Sequence, residues 1–408
     1  MPSPSRTRPK QAVILAGGLG TRLRPLTDTV PKPMIPFHGK PFAEYLVEML
    51  REQGFREILF LLGYLPDVVT RYFGDGSRFG VKIDYSISPV EDETGQRLKR
   101  ALKRLDDTFL LLYCDNYWPL DMGRMWPFFA GSGARAMITV YSNDDGYTKD
   151  NIRMGPAGLI EAYDKTRTVP GLKGVELGYG FFPREIVAAL PEGNVSFEKE
   201  TYGPLAAAGE LAGYVTGHRY YSVGSHARLP LTDAFLARRP AILLDRDGTL
   251  NRKAARGEYV RAPDQFAWLP GAREALRLLR EAGYRVFVIS NQAGIARGAL
   301  APGNLEAIHN KMIAEAEEAG GRIDGIYICP HHWDEGCACR KPKPGMLFRA
   351  QREHHLDLSR TWFLGDDERD IEAGTAAGCL SALVGEGPDT DLLARIRQIV
   401  LPQACQSR

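Results

Sequence analysis

The sequence predicts an α/β protein built from two doubly wound domains. Three observations carry that prediction. At 408 residues the chain is too long for one ordinary core. Two continuous apolar runs, "QAVILAGGLGTRL" (11–23) and "PAILLDRDGTLN" (240–251), each end in a turn crowded with functional groups. Such runs suit strands buried on both faces of a parallel sheet. After each run, helical and strand patterns alternate. "PFAEYLVEMLREQGF" precedes "REILFLLGY", and "GAREALRLLREAGY" precedes "RVFVISNQ". That alternation marks βαβ units.

The composition, 44% hydrophobic and 25% charged, is that of a soluble globular protein. A net charge of +2 gives no support to a nucleic-acid footprint. "MPSPSRTRPK" reads as a flexible basic tail over residues 1–10, with no apolar core of a signal peptide behind it. No apolar stretch is long enough to span a bilayer, so a cytoplasmic setting and no membrane partner are expected. The first domain is expected over 11–237 and the second over 241–400, with the boundary near "LARRP".

In the first loaded turn, Gly17, Gly18 and Gly20 let the main chain approach a phosphate chain and offer it N–H donors. No Gly-Lys-Ser/Thr follows, so this is not a Walker loop, and leucine stands where a Rossmann fingerprint needs its third glycine. Arg22 adds a planar fork of donors. Lys32 lies between two prolines expected to hold its backbone extended. "AVILAGGLGTRL", "PKPMIPFHGKPFAEYLVEML" and "FGDG" resemble the Rossmann-like sugar-phosphate nucleotidyltransferases, most of all the guanylyltransferases of heptose 1-phosphate and mannose 1-phosphate. The resemblance runs over about residues 11–237. It implies that Gly17, Gly18, Gly20, Thr21 and Arg22 bind the nucleotide and that Lys32 stabilises the transferring phosphoryl group. Asp115 would bind Mg²⁺, and Lys165 would contact the sugar phosphate. The chain departs from the pattern at "ETGQR" (93–97), where the family has a glycine-rich loop. It departs again at Cys114, at Glu176 in an asparagine position, and at Ser222 in place of a second metal aspartate.

In the second loaded turn, Asp245 and Asp247 flank one residue at a strand end. Two carboxylates there can share phosphoryl transfer, one as nucleophile and one handling the leaving-group proton. Both repel phosphate, so Mg²⁺ is required to offset them. Ser290, at the end of "RVFVIS", can hydrogen-bond a phosphoryl oxygen, and Arg340 or Lys341 can balance its charge. "FLGDDERDI" offers Asp366, Asp367 and Asp370 for the metal. These residues resemble the haloacid dehalogenase (HAD) superfamily of phosphatases over residues 241–385. The resemblance makes Asp245 the nucleophile and Asp247 the general acid/base. Asp366, Asp245 and the Asp247 carbonyl would hold Mg²⁺. "SNQAGIARG", "GEYV" and "CPHH…CACRKPKPGM" resemble the heptose 1,7-bisphosphate 7-phosphatases, with histidinol phosphatase as the competitor. On that likeness Asn291 and Tyr259 contact substrate.

Residues i and i+2 of an extended segment face the same side. Cys329 with His331, and Cys337 with Cys339, therefore form two pairs that together suit a closed, structural Zn²⁺ site. A set of unrelated thiols, or His332 in place of His331 as ligand, is the alternative. Cys114, Cys379 and Cys405 read as ordinary buried or tail residues.

The two resemblances imply one bifunctional enzyme. A phosphatase makes heptose 1-phosphate, and a nucleotidyltransferase joins it to a nucleoside triphosphate, GTP on the family likeness. Two alternatives stay open. The first domain binds without catalysing, or the phosphatase serves histidinol phosphate or another small ester.

Overall fold

The structure, a computed structural model, describes residues 7–255 and 257–404. They fall into two compact units dividing between Leu236 and Ala237. Of the expected tail, residues 1–6 lie outside the described residues, as does Cys405. Arg8 is engaged, donating to the Gln53 carbonyl at 3.0 Å.

The first unit is built on seven strands: β1 (Gln11–Ala16), β2 (Glu57–Leu62), β3 (Lys82–Ile87), β4 (Thr108–Tyr113), β5 (Ala136–Tyr141), β6 (Val175–Pro183) and β7 (Leu211–Thr216). Their order is β7-β5-β6-β4-β1-β2-β3. β6 runs antiparallel to both neighbours, so the sheet is mixed. Between β5 and β6 lies a small hairpin, Ile152–Met154 with Ile160–Tyr163, and no α-helix. An antiparallel neighbour needs no helical crossover. Along β1, Ala12 and Ile14 enter one core with helix α1 (Phe42–Glu52). Val13 and Leu15 enter the other, with α2 (Thr94–Ala101) and α3 (Phe197–Ala207). Burial on both faces explains why the strand reads as one apolar run.

The second unit has five parallel strands: β8 (Ala241–Leu244), β9 (Arg285–Asn291), β10 (Gly325–Cys329), β11 (Trp362–Gly365) and β12 (Leu380–Leu383), in the order β10-β9-β8-β11-β12. Ile242 and Leu244 pack towards α4 (Ala272–Glu281) and α5 (Pro302–Glu318). Leu243 packs towards α6 (Gly345–His354) and α7 (Glu368–Ala377). β8 is central, so the carboxyl ends of β8, β9 and β11 meet at one edge, where a parallel sheet binds its ligands. No helix among the described residues is long and apolar enough to cross a membrane.

Candidate functional site

At that edge of the second unit, the Asp245 N–H donates to the Leu364 carbonyl of β11 at 2.9 Å. The carboxylates of Asp245, Asp366 and Asp370 offer oxygens within 4.8 Å of one another. So close a group of like charges requires cations. Lys341 supplies one. Its Nζ is 2.7 Å from Asp245 Oδ1 and 2.6 Å from Asp370 Oδ1, and it donates to the Ile289 carbonyl at 3.0 Å. Lys341 is only 3% exposed. Asn291 clasps its main chain, accepting from the N–H and donating to the carbonyl, each at 3.1 Å. Lys253 reaches Asp366 Oδ2 at 2.6 Å, while Asp366 Oδ1 is buried with no partner. That orphaned acceptor beside Asp245 fits a divalent, oxygen-seeking cation. Burial pushes the Asp245 carboxyl up to about 6, against the pull of Lys341. Gly248 has a φ of 93°, and a Cβ there would overlap the Asp366 carboxylate. Only glycine satisfies both conditions.

Asp247 turns away from this group. Arg246 Nη2 donates to both of its oxygens, at 2.9 and 2.8 Å. Asn251 Nδ2 adds a bond to Oδ1 at 3.0 Å, and Gln292 Nε2 one to Oδ2 at 2.9 Å. Burial pushes the Asp247 carboxyl up, but Arg246 and these hydrogen bonds outweigh it and hold the group below its ordinary value. Its carboxylate is thus occupied, and the main-chain carbonyl is what this residue has left for a cation. Asp367, expected near the metal, instead caps α7. Its side chain accepts from the Arg369 N–H and pairs with the Arg369 guanidinium at 2.8 Å. An N-cap side chain is turned back onto its own first turn.

Ser290 is buried, and its Oγ accepts from Gln292 Nε2 at 2.7 Å. Beside Asp247 lies a cavity of about 560 Å³ lined in part by Lys253, Tyr259, Asn291, Arg297, Arg340 and Arg369. Four of these six are cations, which suits an ester carrying more than one phosphate. Arg340 Nη1 is buried without a partner. Arg297 donates to the Tyr259 hydroxyl at 3.3 Å, and its guanidinium carbon lies 5.2 Å from the Trp333 ring centroid.

The structure brings Cys329, His331, Cys337 and Cys339 together. Cys337 Sγ is 3.6 Å from the sulfurs of both Cys329 and Cys339, and His331 Nδ1 is 3.2 Å from Cys339 Sγ. Sulfurs on a tetrahedral zinc with bonds of about 2.3 Å stand about 3.8 Å apart. A disulfide would bring them to about 2.0 Å. The donor set fits Zn²⁺ and closes its coordination. His332 is turned away, paired with Asp334, its ring centroid 3.8 Å from that of Trp333.

In the first unit, a cavity of about 330 Å³ is lined in part by Gly17, Gly18, Lys32, Arg97, Tyr113 and Asp115. Lys32 Nζ lies 3.1 Å from Asp115 Oδ2. Lys32 is not extended as expected; it opens a 3₁₀ turn, Lys32–Met34, closed by the Ile35 N–H on its carbonyl. That closing bond overrides the preference of a residue before proline. Gly20, Thr21 and Arg22 begin a second short turn, with Thr21 and Arg22 exposed. A Cβ on Gly17 would overlap the Arg97 guanidinium. Arg97 is 4% exposed and donates to the Leu62 and Val90 carbonyls and the Ser88 hydroxyl. Residues 94–97 are therefore the first turn of α2, with an arginine laid beneath the glycine loop.

Lys165 Nζ pairs with Glu198 Oε1 at 3.5 Å. Burial pushes the nearby Glu176 carboxyl up to about 7, with help from the charge of Glu198. Ser222 pairs with Asn116, next to Asp115, and its Oγ accepts from the Gly224 N–H at 3.0 Å. Among the described residues, Asp115 belongs to no group of three metal-ligating side chains. Cys114 is buried and Cys379 half-buried.

The sequence reading missed Arg246, Gln292, Lys253, Arg297, Arg369, Arg97 and Glu198. Arg246 carried a signal, a cation between the two aspartates. The others needed the fold.

The nucleotidyl transferase family profile matches residues 11–150, and the HAD-hydrolase-like profile matches residues 338–400. The D-glycero-β-D-manno-heptose-1,7-bisphosphate 7-phosphatase of Bordetella bronchiseptica is 41% identical over 154 residues, 38% of this chain and 85% of that protein. Its counterpart in Pseudomonas putida is 44% identical over 147 residues, 36% of this chain and 82% of that protein. A putative glucose-1-phosphate thymidylyltransferase of Bacillus anthracis, solved with sucrose, matches with a TM-score of 0.50 at 21% identity, over 56% of this chain and 95% of that chain. That likeness speaks for the fold. The chain thus carries a nucleotidyl transferase domain followed by a HAD-type phosphatase domain.

Proposed function

This chain belongs, through its C-terminal domain, to the D-glycero-D-manno-heptose 1,7-bisphosphate 7-phosphatase family, and from that premise we propose that it makes a nucleotide-activated heptose in two steps. The observation that carries the reading is one chain holding both machines. The product of the phosphatase, a sugar 1-phosphate, is the acceptor that the nucleotidyl transferase needs.

In the first step an Asp245 oxygen attacks the 7-phosphorus and the bond to the sugar oxygen breaks. That oxygen takes a proton from Asp247, which must enter the step in its protonated form, leaving an aspartyl-phosphate and an Asp247 carboxylate. Water then attacks the phosphorus and gives a proton to Asp247. The Asp245–phosphorus bond breaks, releasing phosphate and restoring the Asp245 carboxylate and the protonated Asp247. Lys341 and Arg340 hold the phosphoryl oxygens, with Ser290 as a further donor. Asp245, Asp366 and the Asp247 carbonyl would hold Mg²⁺, which supplies charge neutralisation of the phosphoryl group. The cations Arg297 and Arg369 suit the phosphate that stays on the sugar. Cys329, His331, Cys337 and Cys339 would hold a structural Zn²⁺ that fixes the loop ahead of Arg340 and Lys341.

In the second step an oxygen of heptose 1-phosphate attacks the α-phosphorus of the triphosphate, and pyrophosphate leaves. The loop of Gly17, Gly18, Gly20, Thr21 and Arg22 cradles the nucleotide and Lys32 offsets the charge on the transferring group. Lys165 holds the acceptor phosphate. GTP is the favoured donor on the sequence likeness. Asp115, beside Lys32, would be the metal ligand on this side, with Ser222 offering a hydroxyl only.

The test is incubation with heptose 1,7-bisphosphate, Mg²⁺ and each of the four triphosphates, with products read by mass spectrometry. Phosphate, pyrophosphate and a nucleotide-heptose are expected, with GTP giving the most product. Phosphate release without pyrophosphate from any triphosphate would reduce the first domain to a binding module. That Asp115 belongs, among the described residues, to no group of three metal-ligating side chains favours that second reading.

A further inference from the structure

We propose that Arg246 and His309 form a positioning pair that fixes the Asp247 carboxylate where it exchanges protons with the departing sugar oxygen. The inference rests on the phosphatase chemistry above.

Arg246 directly follows the nucleophile, yet it is 1% exposed and heads the fully buried side chains by volume. A guanidinium so deeply buried needs partners for its donors. Its Nε and Nη2 fold back on Asp247, at 3.2 Å for Nε to Oδ1 and 2.9 and 2.8 Å for Nη2. An arginine held along one edge can still rock about that edge. The outer nitrogen prevents this, because Nη1 meets His309 Nε2 at 3.2 Å. Arginine offers no acceptor, so Nε2 must accept and the ring proton sits on Nδ1. Burial, then the charge of Arg246, lowers His309 to about 4, which keeps Nε2 free to accept at neutral pH. His309 belongs to α5, a separate element, and that helix thereby anchors the far end of the fork. Asn251 and Gln292 hold the carboxylate from the other sides.

A proton donor matters most when the leaving oxygen is basic. A sugar alkoxide needs the proton, whereas a nitrophenolate departs without it. General acid catalysis contributes about 10²–10⁴-fold, and small misplacements forfeit much of that. A purely structural role would slow both kinds of ester alike.

The experiment compares His309→Leu and His309→Gln with the full wild-type chain. The readout is kcat/KM, which covers steps through phosphoenzyme formation, on heptose 1,7-bisphosphate and on p-nitrophenyl phosphate. His309→Leu should lose about 10- to 100-fold on the sugar ester and less than about threefold on the nitrophenyl ester. His309→Gln, whose Oε1 can still accept from Arg246, should recover the sugar ester to within about threefold of wild type. Equal losses on both esters, no loss on either, or a glutamine variant as poor as leucine would overturn the proposal. If the leucine variant does not fold, His309→Asn, polar but too short to reach Arg246, takes its place. A wild-type protein inert to heptose bisphosphate but active on another alkyl phosphate refutes the substrate reading. The same ratio on that ester still decides the pair.

Discussion

Glu176→Gln should stabilise the first unit by up to about 3 kcal/mol at pH 8 and by less than about 1 kcal/mol at pH 5. Glu176 lies on β6, where burial and then the charge of Glu198 move its carboxyl from an ordinary 4.5 up to about 7, with Lys165 pulling the other way. A carboxyl whose folded value is raised binds its proton more tightly in the folded state. Its contribution to stability is therefore full below pH 4.5 and is lost as the pH rises through about 7. At about 1.4 kcal/mol per pH unit, the full loss is about 3 kcal/mol, and the partial exposure of Glu176 makes that a ceiling. Glutamine stays neutral throughout, so the variant avoids the loss. For a unit of this size, about 3 kcal/mol corresponds to a rise of about 6–12 °C in Tm. Thermal unfolding at pH 5 and pH 8, with and without a zinc chelator, gives the answer. The transition that the chelator leaves in place belongs to the first unit. An advantage of equal size at both pH values, or a variant less stable than wild type at pH 8, would refute the reasoning.

Asp245→Asn should lower phosphate release by at least about 10³-fold while pyrophosphate release from triphosphate and heptose 1-phosphate stays within twofold or so of wild type; coupled assays on the two products check this. Cys337→Ser should lower both the zinc content measured by elemental analysis and the Tm of the second unit, because the metal and the folded loop form together. Arg97→Met strips the floor from the glycine loop and takes away the donor that the Val90 carbonyl and the Ser88 hydroxyl share, while the Leu62 carbonyl keeps the Ser88 N–H. It should raise KM for the triphosphate about tenfold or more and cost about 2–3 kcal/mol in the first unit, with phosphatase kcat/KM unchanged.

Much of this was legible because the relevant patterns are local. β1 and β8 read as apolar runs because both faces of each are covered. Asp245 and Asp247 announce themselves because carboxylates are out of place at the end of such a run. The spacing of Cys329, His331, Cys337 and Cys339 shows in a row of letters because i and i+2 share a side. What stayed hidden depends on long-range return. Lys253 reaches Asp366 across more than a hundred positions, and His309 reaches Arg246 across 63. Nothing near "ETGQR" tells that its arginine slides under Gly17. The one local misreading in that region was Lys32, where a turn hydrogen bond overrode the proline rule. Asp367 misled for a related reason. An aspartate beside a metal ligand and an aspartate opening a helix look the same until the Arg369 N–H is located.

Gln292 carries a consequence of a different kind. Its N–H donates to the Cys329 carbonyl at 2.8 Å, while its amide nitrogen touches both Asp247 and Ser290. Cys329, the first residue of the thiol cluster, and the Asp247 carboxylate are thus joined through one residue, by its main chain on one side and its side chain on the other. A shift of β10 at Cys329 would drag the amide and move its bonds to Asp247 and Ser290 together.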